Sequence, residues 1–144
     1  MFDSAFFNVS PRESKSMDPQ HRMLLECSWE CVESGGMNPM ELKDRKELTG
    51  VYVGITTGDY EKRFRKDDDT MATGMTASTA AGRISYILGI TGTAISIDTA
   101  CSSSLISLIY GSERVACGQE GISLCFGVQA LCSESTFISF GRLE

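Results

Sequence analysis

Histidine is nearly absent: His21 is the only one among 144 residues. That scarcity weighs against a zinc site. Cys27 and Cys31 have helical spacing, but no second Cys or His pair stands at ligand-like spacing. Long apolar runs are missing too, so nothing approaches a membrane span. The opening residues MFDSAFFNVSPRES lack both a basic region and an apolar stretch ahead of a small-residue cleavage site, which excludes a signal peptide there. Positive charge is in the minority. Thirteen Lys and Arg stand against nineteen Asp and Glu, giving a net charge of −6 and a pI of about 4.8. Binding to a nucleic-acid backbone or an anionic membrane needs clustered basic residues, so neither partner is expected. The chain therefore reads as a cytoplasmic protein, with organelle import left open because a targeting segment could precede Met1.

What is present is core material. Hydrophobic residues make up 42% and charged residues 22%, enough apolar content for one globular unit. Six cysteines invite a disulfide reading. Cys27, Cys31, Cys117 and Cys125 sit among apolar residues, however, where a free thiol behaves as a small hydrophobe. Without a secretory context, reduced thiols are expected.

Strand and helix patterns alternate along the chain. Asp18-Pro19 starts a helix, with Asp capping and Pro at the first position. This helix is expected to run to about Ser34, burying Met23, Leu24, Cys27 and Cys31, and to end at Gly35-Gly36. The opening stretch to Met17 shows no clear periodicity. Gly50-Val51-Tyr52-Val53-Gly54-Ile55 reads as a strand covered on both faces. The charged residues 61–69 read as a solvated loop. Residues 76–88 read as a helix rich in small residues, and residues 93–99, TAISIDT, as a second buried strand. From Ser102 the pattern is helical, with Leu105, Ile106, Leu108, Ile109 and Val115 making most sides apolar. That pattern predicts a central helix, stopped near Gly118. Residues 122–128 form a third strand, and a further helix begins at Ser135. The sum is an α/β fold with a mainly parallel sheet.

The chemistry-bearing segment is Ile97-Asp98-Thr99-Ala100-Cys101-Ser102-Ser103-Ser104-Leu105. A strand runs straight into a helix, with Cys101 at the corner. Small residues on either side let the backbone turn sharply and leave room at the sulfur. The first N–H groups of the helix point toward the thiol, favour its thiolate form and could hold an oxyanion. This is the physics of a nucleophile elbow carried by Cys. An inert buried cysteine beside helix-capping serines is the competing reading. On the residues alone the two stand level.

DTACSSSL resembles the active-site motif of β-ketoacyl synthases, in particular the ketosynthase domains of type I polyketide synthases. Gly92, Ile97, Ala100, Cys101 and the three serines match the wider family spacing. FDSAFFNVSPRESKSMDPQHRMLLECSWECVESGG, TGVYVGITTGDY and TASTAAGRISYILG resemble further stretches of such domains, in order, over nearly the whole chain. The resemblance implies a thiolase-like fold, with residues 1–144 as a partial domain. On this view the chain is the N-terminal half, without the first strand and the C-terminal half of an αβαβα architecture. It implies Cys101 as the catalytic nucleophile of a decarboxylative Claisen condensation, its own N–H serving in the oxyanion hole. It further implies an acyl carrier protein as partner, acyl and malonyl-type thioesters as substrates, and a homodimer joined through the TAISIDT strand. No metal, nucleotide or flavin is implied; the phosphopantetheine arm belongs to the carrier. The family's catalytic histidines and lysine would lie beyond Glu144, which leaves His21 as a structural residue satisfied near the first helix. A fatty-acid synthase ketosynthase, a non-catalytic acyl-binding or chain-length-setting homologue, and a purely structural α/β domain are the alternatives. One departure appears. The family commonly has two adjacent glycines in the strand after the nucleophile helix. Here Cys125-Phe126-Gly127-Val128 places a large ring at one of those positions, an obstacle to close packing.

Overall fold

The computed structural model describes residues 2–56, 58–60 and 74–142. The charged loop expected at 61–69 lies outside the described residues. Helix α1 spans Pro11–Ser16, α2 Pro19–Ser34, α3 Ala80–Leu88, α4 Ser103–Ala116 and α5 Ser135–Gly141. Three parallel strands, β1 (Thr49–Ile55), β2 (Ala94–Ile97) and β3 (Ile122–Val128), form one sheet in the order β2-β1-β3.

The central strand explains the fold's two faces. All seven residues of β1 are buried. Successive side chains of a strand point to opposite faces. Val51, Val53 and Ile55 join Leu24, Leu25 and Ile84 in the core between the sheet and helices α2 and α3. Tyr52 and Gly54 face the other way, beneath α4. The register pairs Tyr52 with Cys125 and Gly54 with Gly127, so these two residues of β3 share the α4 face. Phe126 lies opposite Val53 and packs against the core on the α2 side. The large ring is therefore no obstacle to α4, because it is on the other side of the sheet.

At the end where the strands begin, a buried carboxylate ties all three together. Glu120 is 5% exposed. It accepts hydrogen bonds from the Tyr52 hydroxyl (2.9 Å), the Ser123 hydroxyl (2.9 Å) and the Thr93 N–H (3.0 Å). Burial pushes its carboxyl up, but the bonds from Thr93, Ser123 and Tyr52 outweigh this and hold it below its ordinary value. Gly50 makes the room, since a Cβ there would collide with the Glu120 carboxylate.

Several expectations from the sequence are corrected. Helix α2 runs over the expected residues, with Asp18 capping it through the Gln20 N–H at 2.8 Å. Its buried stripe is Gln20, His21, Leu24, Leu25, Ser28 and Val32. Met23, Cys27 and Cys31, spaced four apart on a separate stripe, are exposed, and Cys117 is exposed as well. Strand β2 is half-exposed rather than buried, because β1 covers only one of its edges. Helix α4 is not buried on most sides. Its inward residues are the small ones, Ser103, Ser107 and Gly111, while Leu105, Leu108, Ile109, Tyr110 and Val115 are exposed. His21 is buried, 1% exposed, yet neither ring nitrogen has a hydrogen-bond partner among the described residues.

Burial and the nearby Arg83 cation lower the His21 pKa from 6.5 to about 4. The folded chain thus binds this proton more weakly than the unfolded chain. Stability from keeping the ring neutral is complete above pH 6.5 and falls as the pH drops toward 4. The span corresponds to about 3 kcal/mol. Urea unfolding at pH 7 and pH 5 is expected to show a larger acid loss in the wild type than in His21→Leu. Equal losses in the two proteins would contradict the assignment.

Candidate active site

Cys101 sits at the end of the sheet opposite Glu120. Strand β2 ends at Ile97, and a single 3-10 turn, Ala100–Ser102, leads into α4. Ala100 has φ of +54°, a left-handed conformation that costs a non-glycine residue about 1–2 kcal/mol. The neighbouring side chains hold the turn in place. Asp98 Oδ1 accepts the Ala100 N–H at 3.1 Å, and Ser103 Oγ accepts the Thr99 N–H at 2.9 Å. The Ser103 hydroxyl donates to the Ala100 carbonyl at 2.7 Å, and that of Ser102 donates to the Thr99 carbonyl at 2.8 Å. The serines after Cys101 therefore do more than leave space: two of them close the corner. As the second residue of the turn, Cys101 has a backbone N–H with no acceptor inside the helix, in the first turn where helix N–H groups are left free.

Two glycines set how far the corner drops toward the sheet. A Cβ on Gly54 would lie 2.5 Å from backbone atoms of both Ser103 and Ser104. A Cβ on Gly127, its partner in register, would collide with the Ser104 Cβ. Gly54 of β1 and Gly127 of β3 thus stand side by side beneath the first turn of α4. Further along, Ser107 donates to the Phe126 carbonyl at 3.0 Å, and Gly111 leaves room for Cys125.

The exposed Cys101 lines a cleft of about 690 Å³ beside Ile55, Val128, Leu131 and Phe140. None of the described residues lining it is charged. Such a cleft suits a neutral, largely apolar group at the sulfur. His21 is not among its lining residues. Among the described residues, no group of three or more His, Cys, Asp or Glu side chains comes together as metal ligands would. No helix of the described residues is long and apolar enough to cross a membrane.

Two polar residues that the sequence reading did not single out hold the cleft's loops. Gln20, buried on α2, donates through Nε2 to the Thr56 carbonyl and accepts the Ala130 N–H through Oε1, both at 3.4 Å. Asp59 accepts the N–H groups of Cys132 and Ser133, each at 2.8 Å, and the Ser133 hydroxyl at 2.5 Å. The Ser133 hydroxyl and the Cys132 N–H hold the Asp59 carboxyl below its ordinary value. The only sequence signal for Gln20 was its place in MDPQHR, two residues after the Asp18 cap.

Cys101 thus stands on a strand-to-helix corner over a parallel sheet in an α/β protein, beside a cleft whose described lining residues carry no charge. The comparisons with known proteins narrow this. The chain belongs to the family described as β-ketoacyl synthase, N-terminal domain, whose profile matches residues 1–144. It is 44% identical over 141 residues to a mycoketide-CoA synthase of Mycobacterium tuberculosis (strain ATCC 25618 / H37Rv), covering 98% of this chain and 3% of that protein. It is 41% identical over 144 residues to the erythronolide synthase EryA2 of Saccharopolyspora erythraea, covering 98% of this chain and 4% of that one. Among solved structures, it matches the ketosynthase from module 6 of the bacillaene synthase of Bacillus subtilis 168. That match has a TM-score of 0.85 at 34% identity, covering 99% of this chain and 24% of the other. An oxazolomycin ketosynthase domain of Streptomyces albus JA3453 superposes with a TM-score of 0.84 at 30% identity, covering 98% of this chain and 25% of the other. The chain thus spans about a quarter of those ketosynthase chains and a few per cent of the two synthases. Its fold is thiolase-like.

The glycines make the packing testable with opposite signs. Gly54→Ala is expected to cost about 1–3 kcal/mol or more, because the new methyl meets helix backbone that cannot yield. Gly82→Ala, inside α3 with open space around its would-be Cβ, is expected to stabilise by about 0.5–1 kcal/mol. Urea midpoints measure both. Tolerance of Gly54→Ala at wild-type stability would contradict the close approach.

Proposed function

We propose that this chain is part of a ketosynthase domain that forms carbon–carbon bonds, with Cys101 as its acyl-accepting nucleophile. One observation carries the reading: Cys101 stands on a turn held by Asp98, Ser102 and Ser103 and faces a cleft whose described lining residues carry no charge. In the first half-reaction the Cys101 sulfur attacks the carbonyl carbon of an acyl thioester on the phosphopantetheine of an acyl carrier protein. The oxyanion that forms is stabilised by the Cys101 N–H. The carrier thiolate leaves and the acyl group stays on Cys101. In the second, a malonyl-type thioester loses carbon dioxide. The resulting enolate carbon attacks the Cys101 thioester carbonyl, and the cysteine thiolate leaves as the new carbon–carbon bond forms.

Among the described residues, no histidine lines the cleft: His21, the only one in the sequence, is buried and is not among the lining residues. Assistance to decarboxylation is assigned to residues outside this stretch. The reading includes a homodimer paired through β2, supported by that strand's place at the sheet edge and its half-exposed side chains. It also includes a cytoplasmic setting and no cofactor of the domain's own.

The test is carrier-dependent condensation by the full chain with a malonyl-type thioester, read as product by mass spectrometry. Cys101→Ala is expected to lower product formation by about 10³-fold or more. Condensation that survives Cys101→Ala would overturn the assignment.

A further inference from the structure

The wall of the Cys101 cleft is shaped by side chains more than by secondary structure. Beyond the end of β3, the N–H groups of Ala130, Cys132, Ser133 and Ser135 donate to side chains: those of Gln20, Asp59, Asp59 again and Ser133. This segment presents Leu131 to the cleft and leads into α5, which presents Phe140. Asp59 is the strongest of these anchors. It is 9% exposed, and it accepts three hydrogen bonds from the segment, across 73 and 74 positions of sequence. The chain of bonds continues inward, since the hydroxyls of Ser133 and Ser135 share a hydrogen bond of 2.7 Å at the start of α5. A carboxylate gripping two successive backbone N–H groups fixes the peptide plane between them as well as the side chain. The Cys132 N–H lies in the preceding peptide plane, which carries the Leu131 Cα, so its bond to Asp59 also orients Leu131.

We propose that Asp59 is a positioning residue that fixes the apolar wall of the Cys101 cleft and thereby sets which acyl chain lengths Cys101 accepts. The proposal rests on the reading of Cys101 as an acyl acceptor. A short acyl group needs only the sulfur and the oxyanion donor. A long one must also lie along Leu131 and Phe140, so displacement of the wall acts on long chains selectively.

The experiment uses the full chain, acetyl and octanoyl thioesters of N-acetylcysteamine, and iodoacetamide as a small electrophile that needs no wall. Mass spectrometry of the Cys101 peptide gives three rates. In Asp59→Ala the octanoyl-to-acetyl rate ratio is expected to change by about tenfold or more, with alkylation held within about twofold of wild type. Asp59→Asn keeps one acceptor oxygen and is expected to fall between. An unchanged ratio in Asp59→Ala overturns the proposal. A collapse of all three rates together also overturns it, because Asp59 would then support the fold as a whole. Wild-type protein that takes iodoacetamide at Cys101 but neither acyl group contradicts the acyl-acceptor reading itself, and this proposal with it.

Discussion

Everything at the Cys101 corner depends on how closely helix α4 approaches the sheet. Most helices cover a sheet with large apolar side chains and stand well off it. Here the inward stripe is Ser103, Ser107 and Gly111, and the sheet answers with Gly54 and Gly127. Small residues on both sides bring backbone against backbone. That contact fixes the height of the first helical turn above the ends of β1 and β3, and Cys101 rides on that turn. The left-handed Ala100 is the local cost, offset by the hydroxyls of Ser102 and Ser103.

The sheet is stapled at its other end. Glu120 joins β1 to the starts of β2 and β3 through Tyr52, Thr93 and Ser123. Gln20 and Asp59 do the corresponding work at the cleft, gripping loops instead of strands. A buried polar group stabilises only while its partners are present, so each of these three residues makes the structure specific as well as stable. His21 differs. It is buried without a hydrogen-bond partner among the described residues, and its burial grows less favourable as acid is added.

Much of this was legible in the sequence, for reasons particular to each element. Helix α2 announced itself by Asp18-Pro19 and Gly35-Gly36, and β1 and β3 by apolar runs bounded by glycine. The corner at Cys101 followed from a strand pattern passing directly into a helix pattern. Helix α1 was missed, although Ser10 caps it by accepting the Glu13 N–H and Pro11 opens it. Six residues are too few to show periodicity. Helix α4 was expected to be central because it is apolar on most sides, whereas close packing against the sheet selected its small residues and leaves Leu105, Leu108, Ile109, Tyr110 and Val115 exposed. Burial of Met23, Cys27 and Cys31 was misjudged through choice of the wrong stripe on α2. The spatial pairing of Gly54 with Gly127 needed the register of β1 against β3, which no single strand reveals. Gln20 and Asp59 act across the fold, so their roles became visible only in three dimensions.

The central claim is that geometry, rather than exposure, singles out Cys101, since Cys27, Cys31 and Cys117 are exposed too. The most direct measurement loads the full chain with an acyl group from an acyl carrier protein thioester and maps the acyl mark over all six cysteine positions. The account predicts the mark at Cys101, with the other cysteines unmodified. Acyl groups shared among the exposed cysteines, or absent from Cys101, would contradict it.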